Sequence, residues 1–113
     1  MPEIVQQRPA RPQPLREQAL PRLRALTAAL TTAGLTATLE QPEGSEVYVR
    51  VINPAATDYR DRITCQHHII DGYALWFVHS WGEPISPACD IAAAVADISA
   101  MLQPRPGAHR AQP

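Results

Sequence analysis

Cys65-Gln66-His67-His68-Ile69-Ile70-Asp71-Gly72-Tyr73-Ala74-Leu75-Trp76-Phe77-Val78-His79-Ser80-Trp81 holds three of the four histidines, both tryptophans and one of the two cysteines of the chain. Imidazole and thiolate are the usual zinc ligands, and a thiol beside an imidazole can act as a nucleophile with its base. Either chemistry requires the side chains to converge. Two β-rich runs flank Asp71-Gly72, a strong signal for a hairpin turn. Consecutive strand residues point to opposite faces, so His67 and His68 cannot share one ion without a bulge. A two-residue loop places His68 opposite Leu75, and a three-residue loop places His67 there. In both registers the histidine on the face of His79 lies four positions from it, about 13 Å along the sheet. Ligands to one zinc stand far closer than that.

Cys65 and His67 remain as a same-face pair. Two ligands fall short of the three or four that zinc sites use, so no metal and no cofactor is expected. As a nucleophile, Cys65 has no helix N-terminus behind it and no oxyanion donors in view. Cys89 is placed in the first turn of a C-terminal helix, where the macrodipole favours a thiolate, but no base can be named for it. Phosphate loops, HExxH, CxxC and GxSxG are absent from the sequence. No catalytic residue is therefore assigned.

These residues must be carried by a small scaffold. The chain has 113 residues, 45% apolar and 19% charged, which suits one packed domain. Its formal charge of −1 gives no electrostatic reason to expect nucleic acid, and its ten basic residues are all arginine. The arginines read as dispersed solvated charge, with Arg60 and Arg62 placed before the third strand. No apolar run approaches the roughly 20 residues of a membrane span, and Met1 to Pro14 has no signal-peptide pattern. A cytoplasmic location with free thiols and no membrane partner is the expectation.

Seven of the twelve prolines fall in the two ends of the chain, so 1–14 and 104–113 are expected to be flexible tails around a domain at 15–103. Pro9-Ala10-Arg11-Pro12 formally matches a PxxP ligand but reads as chance in so proline-rich a segment. Ala19, Leu23, Leu26, Leu30 and Ala33 recur at helical spacing, giving a helix from about 20 to 33, or one that starts near Leu15 and kinks at Pro21. Gly34 ends it. Alternation then predicts strands at 35–40 and 46–52, with Val47, Val49 and Val51 on one side. Further strands are predicted at 62–70 and 73–80. Pro84 is expected to end pairing, and Ser86 to cap a helix that has Pro87 at its first position and Pro104 as its stop. The order α-β-β-β-β-α gives an α+β fold: a four-stranded antiparallel meander with two helices packed on one face.

That architecture leaves one sheet face without helices. Tyr48 and Ile52 belong to it if the valines point inward, and one of Trp76 and Phe77 must join them. Tyr48, Ile52, Tyr73, Trp76 and Trp81 are therefore the candidate interaction residues, since aromatic anchors dominate protein interfaces. The first functional expectation is a non-enzymatic interaction module (a small regulator, adaptor or chaperone-like protein) that binds a protein partner or forms a homodimer. The alternative is a small enzyme or ligand-binding protein using Cys65, His67, His79 and Glu83.

Phe77-Val78-His79-Ser80-Trp81-Gly82-Glu83-Pro84-Ile85, with Ile63-Thr64-Cys65 and Asp71-Gly72 before it, resembles a run in small uncharacterised proteins of actinomycetes. Those carry a VTC…DG…WSWGEPI-like pattern between an N-terminal helix and an Ala-rich C-terminal helix. The resemblance spans about residues 20–102 and implies a bacterial intracellular protein without implying an activity. His79 stands where those proteins have an aromatic residue. In this segment Gly82 is expected to turn the chain and Trp81 to plug the corner between sheet and helix.

Overall fold

The computed structural model describes residues 14–69, 72 and 74–104. The two expected tails, apart from Pro14 and Pro104, and the hairpin-tip residues Ile70, Asp71 and Tyr73 lie outside the described residues.

Helix α1 spans Leu15–Thr32 and buries Ala19, Leu23, Leu26 and Leu30. It is the longer of the two helices the sequence allowed, with Pro21 inside it. Its end is a Schellman motif: Gly34 N–H donates to Thr31 O and Leu35 N–H to Leu30 O. Gly34 sits at φ 98°, a backbone region that side-chain-bearing residues rarely adopt. Leu35 returns to the core and starts the chain into the sheet.

Among the described residues five strands follow: β1 Thr36–Glu40, β2 Tyr48–Ile52, β3 Arg60–His68, β4 Ala74–Val78 and β5 Pro84–Pro87. They pair in sequence order, each antiparallel to the next. The class is therefore α+β with an antiparallel meander, but the sheet has a fifth strand. Pro84 does not end pairing. It lies opposite Val78, Ser86 lies opposite Phe77, and the ladder shifts register between Phe77 and Val78. Two prolines fit here because β5 is an edge, where half of the backbone donors need no strand partner. The short proline-bearing edge also blunts further strand addition.

Helix α2, Ile91–Met101, accordingly begins later than expected. Its N-cap is Asp90, whose carboxylate accepts from Ala93 N–H, and Ser86 is instead a buried β5 residue that donates to Pro87 O and Asp90 O. Cys89 consequently lies in the exposed turn before α2 and not in its first turn, which removes the helix-dipole argument for its thiolate.

Strand β3 starts two residues earlier than predicted, which brings Arg60 and Asp61 into it. The β3–β4 register places His67 opposite Leu75, the pairing of the three-residue loop. Val47, Val49, Val51, Ile63, Cys65 and Phe77 form the buried sheet face. Leucines of α1 and Ala94, Ile98 and Leu102 of the C-terminal segment close over them. Asn53 ties the β2–β3 connection to this end of the core: its amide donates to Leu102 O and its carbonyl accepts from Ala55 N–H. Among the described residues, no helix is long and apolar enough to cross a membrane.

Candidate functional site

Both described helices lie on the Val49–Phe77 side, so among the described residues no helix covers the other side of the strands. Trp76 lies on that outer side and Phe77 in the core, which resolves the choice the sequence left open. The register arranges the outer residues in rows. Thr36, Ile52 and Arg60 form one, Thr38, Arg50 and Arg62 the next, and Glu40 and Tyr48 begin the third. Gln66 and Trp76 follow on β3 and β4, then His68 and Ala74.

Several contacts hold this face in shape. The Arg62 guanidinium lies 4.9 Å from the Tyr48 ring centroid. Arg50 Nη2 lies 3.3 Å from Glu40 Oε2. His68 and Trp76 rings lie 4.9 Å apart at a 34° tilt. Packing of His68 buries its Nδ1, which has no hydrogen-bond partner among the described residues. Tyr48, Ile52 and Trp76 are half-buried by these neighbours. Trp81 is different: 55% of it is exposed, so it does not plug the sheet–helix corner. Its indole stacks on His79 at 4.3 Å and donates through Nε1 to Glu83 Oε1.

Beneath Trp81 lies a buried polar cluster that the sequence reasoning missed. His79 Nδ1 is 2.7 Å from Asp61 Oδ2, with both side chains 2% exposed. Ionised carboxylates only accept, so Nδ1 carries the hydrogen. Asp61 Oδ1 also accepts from the Arg62 and Ser80 N–H groups. His79 Nε2 faces Asp97 Oδ2 at 3.4 Å. Both imidazole nitrogens are thus directed at carboxylates, with Asp97 arriving from α2. The cluster pins the start of β3, the end of β4 and α2 together. One signal for it was present in the sequence. Asp61 alternates with Arg60 and Arg62 and shares the inward face of Ile63 and Cys65, an unusual place for an acid.

The four residues of the ligand alternative divide. His79 and Glu83 meet at the turn after β4, where His79 N–H donates to Glu83 O. Cys65 is buried opposite Phe77, and His67 is exposed opposite Leu75 towards the other end of the hairpin. Burial pushes the Cys65 thiol up from 9.0 to about 11, with the Arg22 charge opposing the rise. It is a neutral thiol at physiological pH and a poor nucleophile. Among the described residues, no group of three His, Cys, Asp or Glu side chains is arranged to hold a metal ion. Tyr73, the remaining interaction candidate, lies outside the described residues.

No protein-family model, curated protein or solved structure matches this chain.

Proposed function

We propose that the chain is a protein-interaction module whose docking surface is the helix-free face of the sheet, with Tyr48, Ile52 and Trp76 as anchors. One observation carries this reading. Both helices cover the same side of a five-stranded sheet, and no described element covers the rows that hold Tyr48, Ile52 and Trp76. Aromatic side chains bring large contact area at small entropic cost, which suits them to anchoring a partner. The partner is a different protein. Two copies joined face to face would bury the Arg50, Arg60 and Arg62 charges of both in one interface, where unpaired like charges are costly.

The test compares the full chain with the Tyr48→Ala, Ile52→Ala and Trp76→Ala variants, each confirmed as folded by circular dichroism. Partners are captured from the native host and then rebound as purified proteins. The expectation is one partner that binds the parent chain directly and at least tenfold more weakly after Tyr48→Ala or Trp76→Ala, the size of a hot-spot loss of about 1.4 kcal/mol or more. A partner set unchanged by all three substitutions overturns the reading. So does self-association through this face in sedimentation.

The second reading, a small-ligand or catalytic role for Cys65, His67, His79 and Glu83, draws support from the oriented Asp61–His79 pair alone. Such a pair is also how a buried imidazole is held in a purely structural network. A stoichiometric small molecule released on denaturing the purified protein would favour this second reading.

A further inference from the structure

We propose that Arg50, Arg60, Arg62 and Ser80 form a binding site for a phosphate monoester. The site shares the sheet face with the docking surface described above but stands on its own residues. The β2–β3 register sets Arg50 directly opposite Arg62, and alternation puts Arg60 on the same face two positions along β3. Side chains directly opposite on one face start about 5 Å apart, and like charges in that position destabilise a sheet. Glu40 offsets this repulsion only at Arg50. An anion bound between the guanidinium groups reverses the sign of that interaction.

The local charges set the valence of that anion. Glu40 already partners Arg50 at 3.3 Å. Arg60 has its Nε committed to the Thr57 carbonyl at 3.0 Å, which leaves its two terminal amino groups free to turn outward. Arg62 lies over Tyr48, a contact that orients the guanidinium without neutralising it. Neither Arg60 nor Arg62 has a carboxylate partner among the described residues. Asp61 lies between them in sequence, but its carboxylate is engaged by His79 Nδ1 and by the Arg62 and Ser80 N–H groups. Two unneutralised guanidinium groups remain. A phosphate monoester carries about −1.5 to −2 at neutral pH, and its oxygens match the planar guanidinium fork. A single carboxylate would leave one of the two cations unmatched.

Space is present for the group and for what it is esterified to. A cavity of about 350 Å³ is lined by Arg50, Arg60, Asp61, Arg62 and Ser80. A second, of about 360 Å³, adjoins it through Arg62 and Ser80 and continues past Tyr48 and Thr64. The phosphate belongs in the first, between the guanidinium groups. Its organic substituent belongs in the second, against Tyr48.

The test is a titration of the ¹⁵N-labelled full chain with inorganic phosphate and O-phosphoserine, at constant ionic strength with acetate as the control anion. Saturable shifts are expected at Arg60, Arg62 and Ser80 for both phosphates and not for acetate. Arg62→Gln and Arg60→Gln should each weaken binding about tenfold, as loss of a charge-assisted bidentate contact does. Arg24→Gln, on an exposed position of α1, should leave binding unchanged. These glutamine variants replace exposed side chains and retain the fold. Absence of saturation up to about 20 mM phosphate, shifts that acetate reproduces, or equal affinity in Arg62→Gln each overturn the site. A phosphoserine peptide distinguishes the sources of the ester: tighter binding than free O-phosphoserine assigns it to a protein partner, equal binding to a small molecule. If the phosphate titration fails, partner docking through Tyr48 and Trp76 is untouched; if docking fails, the titration result still stands.

Discussion

Asp61→Ala tests the structural account most directly, because the Asp61 carboxylate meets three donors in a buried setting. Those donors are His79 Nδ1 at 2.7 Å, Arg62 N–H at 2.8 Å and Ser80 N–H at 3.2 Å. Truncation strands the buried Nδ1–H and takes the acceptor from two part-buried backbone N–H groups. A hydrogen bond to a charged group is worth about 1.5–3 kcal/mol, and a stranded buried donor costs about 1–3 kcal/mol. The expected loss is therefore about 3–5 kcal/mol out of a total stability of about 5–15 kcal/mol. Asp61→Asn should lose only about 1–2 kcal/mol. Its amide oxygen can keep both backbone donors, while His79 changes tautomer to accept from the new amide. His79→Phe keeps a flat ring under Trp81 but strands Asp61 Oδ2. A double-mutant cycle between Asp61→Ala and His79→Phe should return a coupling of at least about 1.5 kcal/mol. Urea denaturation supplies the numbers, through midpoint shifts at constant slope. A loss below about 1 kcal/mol for Asp61→Ala, or simple additivity in the cycle, would refute the reasoning.

Cys89 should react with a thiol reagent at once at pH 8 and Cys65 only on unfolding, because Cys89 is exposed and Cys65 is buried. The Cys65 thiol, raised from 9.0 to about 11, also makes stability depend on pH. The folded chain holds this proton more tightly than the unfolded one, so the Cys65 contribution should be constant below pH 9, fall as pH rises towards about 11 and then level off. The full drop is at most about 3 kcal/mol, and a Cys65→Ala chain should lack this component in denaturation series across that range. Pro21→Ala should raise stability by about 1–3 kcal/mol, since it restores an interior helix hydrogen bond and relieves the ring's clash with the preceding turn; an unchanged urea midpoint would contradict this. Asp90→Ala should cost about 0.5–2 kcal/mol through loss of the α2 cap, whereas Glu40→Gln, at an exposed pair, should cost less than about 1 kcal/mol and only at low salt.

Periodicity made the faces of this fold legible. Leu23, Leu26 and Leu30 at helical spacing, and Val47, Val49 and Val51 at strand spacing, are all in the core. Two kinds of feature were harder to read. Proline was the harder residue to place: Pro21 left two starts open for α1 and lies inside it, and Pro84, expected to end pairing, begins β5. Proline removes one donor, and that loss matters only where the donor would have had a partner. A long helix anchored by four buried residues tolerates the loss, and an edge strand has donors to spare. Reading β5 as a turn displaced the α2 cap to Ser86 and carried Cys89 into a helix it does not join.

The functional candidates depended on a different quantity. Alternation assigns a residue to a face, but only register assigns it to a row, and register is set by the connections. Asn53 fixes the link between β2 and β3 by bonding Ala55 N–H and Leu102 O, and Asn53 N–H closes on Tyr59 O. That closure sets Arg50 against Arg62 and Val51 against Asp61. Arg50, Arg60 and Arg62 look scattered in sequence because a polar connection separates them, and Asp61 and His79 look unrelated because they are 18 positions apart. Disturbing Asn53 should therefore affect the arginine rows and the Asp61–His79 pair together, although neither touches its side chain. Asn53→Ala removes a buried bond to Leu102 and a part-buried one to Ala55, a loss of about 2 kcal/mol. If the register argument holds, amide shifts at Arg62 and Ser80 should move with it; shifts confined to residues beside Asn53 and Leu102 would show that the rows are fixed by the strands themselves.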